Sequence, residues 1–97
     1  MRRLYLKSPA NSDYTAAVDY FEKRQPGLGR EFEQELENLF ERIKDSPQSF
    51  PRIAPNVYKA ILHRFKYKIC FAVEGDEIGI LAIYHPSRDP DALRRRF

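Results

Sequence analysis

The sequence is poor in cysteine and in long apolar stretches, and each shortage removes a class of protein. Cys70 is the only cysteine among 97 residues, so the chain holds no internal disulfide and no cysteine-only metal site. No apolar run reaches the roughly 18–20 residues that a membrane-spanning helix needs. The start of the chain, residues 1–7, is basic, but its apolar stretch is too short for a signal peptide. We therefore expect a cytoplasmic protein without membrane contact.

Motifs for metals and nucleotides are also missing. The two histidines and the scattered carboxylates show no metal-ligand spacing. The segment Pro26-Gly27-Leu28-Gly29 lacks the lysine and the hydroxyl residue of a phosphate-binding loop. We expect neither a metal nor another cofactor.

The composition is that of a small folded domain with an uneven charge. A hydrophobic content of 42% and an aromatic content of 13% argue against disorder, and residues 1–97 are enough for one domain with a modest core. Residues 1–50 carry 8 Lys/Arg and 9 Asp/Glu, whereas residues 51–97 carry 9 and 5. The basic second half suits a polyanionic partner, either nucleic acid or an acidic protein segment, although an ordinary solubility charge explains it too.

Two amphipathic helices are predicted in the first half of the chain. Ser8-Pro9 is typical of a helix start, and Gln25-Pro26-Gly27 ends the first helix. The second helix is predicted over about residues 28–45. Its apolar stripe comprises Leu28, Phe32, Leu36, Leu39, Phe40 and Ile43. The short break predicts an antiparallel αα-hairpin, whose stripes need a sheet to pack against.

The rest of the chain predicts a small sheet. Strands are predicted at about residues 3–7, 57–63, 67–74 and 77–85, with a proline-rich connection over 46–56 and a tight turn at Gly75-Asp76. The last strand is apolar on both faces and is therefore interior, with the N-terminal strand as its outer neighbour. A count of chain reversals makes that last pairing antiparallel. The predicted fold is α+β, a mainly antiparallel sheet with the αα-hairpin on one face, in the order β-α-α-β-β-β.

Alternation along the strands suggests a group of cations on the face away from the helices. If Tyr58, Ala60 and Leu62 face the helices, Lys59 and His63 face outward, and Lys68 shares that side of the next strand. His85 ends the last predicted strand, and Arg88 lies just past it, near the same open face. Converging cations bind phosphate, and histidine titrates near neutral pH, which suits proton transfer.

Each of these residues also has a structural interpretation. Lys59 and Lys68 can simply keep an open sheet face soluble, His63 can be a solvated strand residue, and His85 can be a hydrogen-bonding residue at a strand end. Arg88-Asp89 can form a turn with a local ion pair. Arg94, Arg95 and Arg96 form a charge run of a kind that is usually solvated.

The order of these segments carries a resemblance. Pro26-Gly27-Leu28-Gly29 and the helix after it, the strand over residues 67–73, and the stretch from Val73 to Pro90 together resemble the RelE/ParE family of bacterial toxins, over roughly Leu4 to Arg96. These are the toxin halves of type II toxin–antitoxin pairs. The resemblance implies a cognate antitoxin as partner and, as target, either DNA gyrase or mRNA on the translating ribosome.

The two branches of the family imply different roles for the basic residues. In the metal-independent ribonuclease branch, Lys59, Lys68 and Arg88 match the basic set that stabilises the reacting phosphate, with His63 and His85 as candidates for proton transfer. Two features depart from that branch, because Ile61 occupies the place of a second sheet lysine and residues 93–97 contain no tyrosine. We therefore favour the ParE branch, which binds gyrase as a poison. Arg64, Arg94, Arg95 and Arg96 are then candidates for contact with a partner or with nucleic acid. A degenerate domain that only binds its antitoxin is the third alternative.

Overall fold

A computed structural model describes residues 2–88 of the chain. Its elements are β1 (Arg3–Leu6), α1 (Ser8–Arg24), α2 (Leu28–Asp45), a 3-10 turn (Pro47–Ser49), β2 (Arg52–Ala54), β3 (Val57–Leu62), β4 (Tyr67–Glu74) and β5 (Glu77–Tyr84). Helices and sheet segregate as predicted, so the α+β class is confirmed. Within residues 2–88, no helix is both long and apolar enough to cross a membrane.

Within residues 2–88 the sheet has five strands in the order β1-β5-β4-β3-β2. The parallel pairing of β1 with β5 corrects a prediction. β5 is interior and β1 is its neighbour, as expected, but the two run parallel, with Leu4 opposite Ile78. The reason is β2, a short strand inside the segment predicted to be only a connection. It adds one reversal to the chain path, so the first and last strands point the same way.

The two helices form a close-packed hairpin because a glycine lies where they meet. A Cβ atom on Gly29 would lie 2.8 Å from the carbonyl oxygen of Val18, so only glycine permits this approach. The carboxylate of Glu22 on α1 caps the start of α2. Its two oxygens accept the backbone N–H groups of Gly27 (3.0 Å) and Gly29 (3.1 Å), which satisfies donors that a helix start leaves open.

The core lies between this hairpin and one face of the sheet. From α2, Phe32, Leu36 and Ile43 are fully buried. Four aromatic rings meet in mostly edge-to-face contacts near the β3–β4 turn, with centroids 4.8–5.7 Å apart, an arrangement that the ring quadrupoles favour. They belong to Phe21, Phe32, Phe65 and Tyr67. This cluster joins both helices to β4.

A bulge in β5 sets the direction of the side chains that follow it. Cys70 lies opposite Ala82 and Phe71 opposite Ile80, which leaves Leu81 as an extra residue. Leu81 and Ala82 both pack on the side away from the helices, and Ile83 returns to the helix side. The N–H of Ile83 lies beyond the end of β1 and donates instead to Oδ2 of Asp13 on α1, at 3.0 Å. The end of β5 is thus attached to α1.

Candidate functional site

The side of the sheet away from the helices, here called the open sheet face, carries an apolar cluster flanked by lysines. The cluster consists of Val57, Cys70, Ala82 and Tyr84, with Ala54, Ala72 and Leu81 packed against it. Lys59 lies opposite Cys70, and Lys68 lies opposite Ile61 on one side and Tyr84 on the other. The predicted outward placement of both lysines is therefore confirmed. A large side chain between them, Ile61, is 41% exposed.

The ionisable groups inside this cluster are neutral near pH 7. Burial raises the pKa of the Cys70 thiol to about 11, against the opposing effect of the nearby Lys59 charge. Burial, followed by the proximity of Cys70, also raises the pKa of Tyr84. The thiol is consequently a poor nucleophile, and the four cluster residues are themselves buried.

A groove at one end of the open sheet face brings Lys68 and His85 together. It has a volume of about 490 Å³ and is lined by Ile61, Lys66, Lys68, His85, Pro86 and Ser87. Nδ1 of His85 accepts the backbone N–H of Ser87 at 3.2 Å, and the ring packs on Tyr67 with centroids 5.6 Å apart. These contacts fix the orientation of the imidazole in the groove that Lys68 also lines.

His63 and Arg64 lie elsewhere, against α2. His63 lines a second groove of about 280 Å³, whose other lining residues include Glu35, Arg42 and Ile61. Arg64 is paired with two carboxylates of α2, Glu35 at 2.8 Å and Glu31 at 2.5 Å, and the hydrogen bonds that it donates to them raise its pKa. Its guanidinium group therefore attaches the β3–β4 turn to α2. Of the two grooves described, His63 lines one and His85 the other.

The position of Arg88 is the largest departure from the sequence-based prediction. It was expected near the open sheet face, but its Cζ lies 4.1 Å from the ring centroid of Tyr20 on α1 and 5.3 Å from that of Tyr67. The guanidinium group also donates a hydrogen bond to the Tyr67 hydroxyl. The turn after β5, in which the N–H of Arg88 donates to the carbonyl of His85 at 3.1 Å, directs the chain toward α1. Stacking of the planar cation on aromatic rings then holds it there.

Sequence reasoning missed Arg24, which contacts the same tyrosine. Its Nη1 donates to the Tyr20 hydroxyl at 2.9 Å, and its Cζ lies 5.2 Å from the ring centroid. The available signal was the i, i+4 spacing of Tyr20 and Arg24 on one helix face. Reasoning also missed Asp13 and Glu22, whose carboxylates accept backbone N–H groups of other elements.

Two predictions remain, the contacts of the C-terminal arginines and the absence of a metal site. Arg94, Arg95 and Arg96 lie outside the described residues, so their predicted contacts stay predictions. Within residues 2–88, no group of three or more His, Cys, Asp or Glu side chains is arranged to hold a metal ion.

Comparison with known proteins agrees with this architecture. The family model described as the ParE toxin of type II toxin-antitoxin system, parDE, matches residues 4–90. A solved structure of the chromosomal ParDE TA system from P. aeruginosa superposes with a TM-score of 0.75. The match covers 88% of this chain and 96% of that chain at 24% sequence identity, which shows a shared fold. No curated protein matches the chain.

Proposed function

Because the chain belongs to the ParE toxin family of type II toxin–antitoxin systems, we propose that it inhibits growth as a poison of DNA gyrase and that a cognate antitoxin neutralises it. The family match supports the antitoxin partner. The choice of gyrase over mRNA rests on one observation, the position of Arg88.

A nuclease of this family needs its cations to converge on one phosphate, because preorganised positive charge stabilises the transition state. Here the matching cations are divided between two sides of the molecule. Lys59 and Lys68 lie on the open sheet face, whereas Arg88 is stacked on Tyr20 and Tyr67 beside α1. A protein poison requires no such convergence, since it acts by binding.

Cleavage of mRNA on the ribosome is the second candidate, and one feature favours it. Lys68 and His85 line the same groove, so a cation and a proton-transfer group lie near each other. The two candidates differ in target, and one set of assays on purified protein separates them.

The assays measure supercoiling and DNA cleavage by gyrase, and cleavage of mRNA on translating ribosomes. We expect inhibited supercoiling or accumulated cleaved DNA, with intact mRNA. A variant with Arg94→Gln, Arg95→Gln and Arg96→Gln should inhibit gyrase less than the wild type, because we propose that these cations bind the target. A matched variant with Lys23→Gln and Arg30→Gln removes charge from the exposed hairpin and should inhibit fully.

Two other results would contradict the proposal that gyrase is the target. Ribosome-dependent cleavage that falls on the order of 10²-fold in Lys68→Ala and Arg88→Ala, with gyrase unaffected, would establish the nuclease instead. A protein that affects neither target but binds its antitoxin would be the degenerate form.

A further inference from the structure

We infer that Arg24 and Arg88, both held on the ring of Tyr20, form a carboxylate-binding site for an acidic segment of a partner protein. We call these two residues the arginine pair. The site is separate from the open sheet face.

The first argument is the preorganisation of the arginine pair. Both guanidinium carbons lie within 5.2 Å of one ring centroid, that of Tyr20. Each group also donates to a tyrosine hydroxyl, Arg24 to Tyr20 and Arg88 to Tyr67. A guanidinium group has five N–H donors, so each retains donors for a ligand. Because the rings already restrict both side chains, binding an anion costs less conformational entropy than it would for free arginines.

The second argument is the lack of a charge partner within the described residues. Two arginines of residues 2–88 are neutralised by carboxylates, Arg3 by Glu77 and Arg64 by Glu31 and Glu35. No carboxylate of residues 2–88 forms an ion pair with either member of the arginine pair. Both members are exposed. Two cations that are held on one ring and are accessible to a partner attract an anion, and the guanidinium fork matches the two oxygens of a carboxylate.

The third argument concerns the kind of anion. The arginine pair borders the helical hairpin, residues 8–45, which carries nine acidic and five basic residues. This acidic surrounding repels any anion, and it repels a nucleic acid most, because a nucleic acid presents a continuous row of phosphates and binds by neutralising several of them. One or two carboxylates of a protein segment need only the pair itself. The occupant we infer is therefore a segment bearing Asp or Glu.

The inference rests on the proposed function only in that an antitoxin would supply such a segment. Its test needs neither gyrase nor antitoxin, so failure of the test and failure of the proposed function are distinguishable. The probes are a fluorescein-labelled peptide of alternating Glu and Ala, the same peptide with Gln at every Glu, and a single-stranded DNA of equal formal charge. Fluorescence anisotropy at low salt measures the Kd of each probe for the full chain.

We expect Arg24→Gln and Arg88→Gln each to raise the Kd for the Glu peptide about tenfold, the size of one charge-assisted hydrogen bond. Lys23→Gln and Arg30→Gln, exposed cations of the same hairpin, are the matched controls and should change it less than twofold, roughly the effect of a screened surface charge. The Gln peptide should bind weakly to every variant. Thermal unfolding checks the fold of Arg88→Gln, and Arg24→Gln tests the site without removing the Tyr67 contact.

Three outcomes would overturn the inference. One is an unchanged Kd for the Glu peptide in Arg24→Gln. Another is tighter binding of the DNA with the same dependence on both arginines, which would make the ligand a phosphate. The last is a loss of peptide binding in the Lys59→Gln, Lys68→Gln double variant with both arginine variants unaffected, which would place the acidic segment on the open sheet face.

Discussion

Two tyrosines of α1 each contact a pair of charged side chains. Tyr20 holds two arginines, and Tyr14 meets two carboxylates where the helices pack. The Tyr14 hydroxyl donates to Glu33 at 3.4 Å and to Glu37 at 3.3 Å. Burial first, then the charges of Glu37 and Glu33, raise the pKa of Tyr14 from 10.0 to about 12. The folded state therefore retains a proton that the unfolded chain releases more readily.

This shift predicts a loss of stability in alkaline solution. Since the folded pKa lies above the unfolded value, the contribution of Tyr14 is complete below pH 10 and is lost as the pH rises toward about 12. Urea unfolding of wild type and Tyr14→Phe across this range should show a shallower decline for the variant. Cys70 and Tyr84, whose pKa values are also raised, are present in both proteins. Their contributions to the pH dependence of stability therefore cancel in the comparison. Parallel profiles would show that Tyr14 does not titrate with folding.

At the scale of elements, the helical hairpin is a support for the sheet. α2 buries its apolar stripe against β-strand side chains of the core, and Glu22 fixes the turn into it. The sheet in turn presents different chemistry on its two faces, aromatic and aliphatic toward the helices, and small apolar residues with lysines away from them. The bulge at Leu81 places the end of β5 so that His85 reaches the groove of the open sheet face and Arg88 reaches α1.

The supporting role of α2 predicts a stability defect from one truncation. Leu36 is fully buried, so Leu36→Ala should lower the free energy of unfolding by roughly 2–5 kcal/mol. That is a large share of what a small domain has, and toxicity should fall with it. Ile53→Ala is the matched control, because Ile53 is 41% exposed, and it should cost under about 1 kcal/mol. A Leu36→Ala protein with an unchanged melting curve would exclude α2 from the core.

Acidic and basic side chains are concentrated in different parts of the molecule. The hairpin is acidic, whereas residues 51–97 carry an excess of basic side chains, with Lys59, Lys66 and Lys68 on or beside the open sheet face. The same face carries Ile61, a large apolar side chain that is 41% exposed. An antitoxin stretch with both acidic and apolar side chains, separate from the segment inferred at the arginine pair, matches both properties, and a disordered chain can cover both places at a cost in ordering.

We accordingly predict a complex with the product of an adjacent small reading frame, the expected antitoxin. Co-expression should give a complex that stays together at micromolar concentration in low and moderate salt. The double variant Lys59→Glu, Lys68→Glu should weaken the complex and make it more sensitive to salt, whereas Arg30→Glu on the hairpin should not. Two proteins that migrate separately under all these conditions would contradict the pairing.

The local features of this protein were determined by its sequence. The spacing of Leu28, Phe32, Leu36 and Phe40 placed α2 within its observed bounds, because a helix must repeat its apolar residues every three or four positions. Alternation in β4 placed Lys68 and Cys70 on the face away from the helices. These features depend on neighbours in the chain, which the sequence displays.

Features that depend on contacts between residues far apart in the sequence were decided only by the tertiary structure. β2 is three residues long and forms because β3 offers it an edge, and its presence made the β1–β5 pair parallel. The bulge at Leu81 has no local signature in an apolar run, since it is a mismatch between two strands. The side on which Arg88 lies was likewise set by Tyr20, 68 positions earlier in the chain. Register and ring contacts join residues far apart in sequence, and only the folded chain brings those residues together.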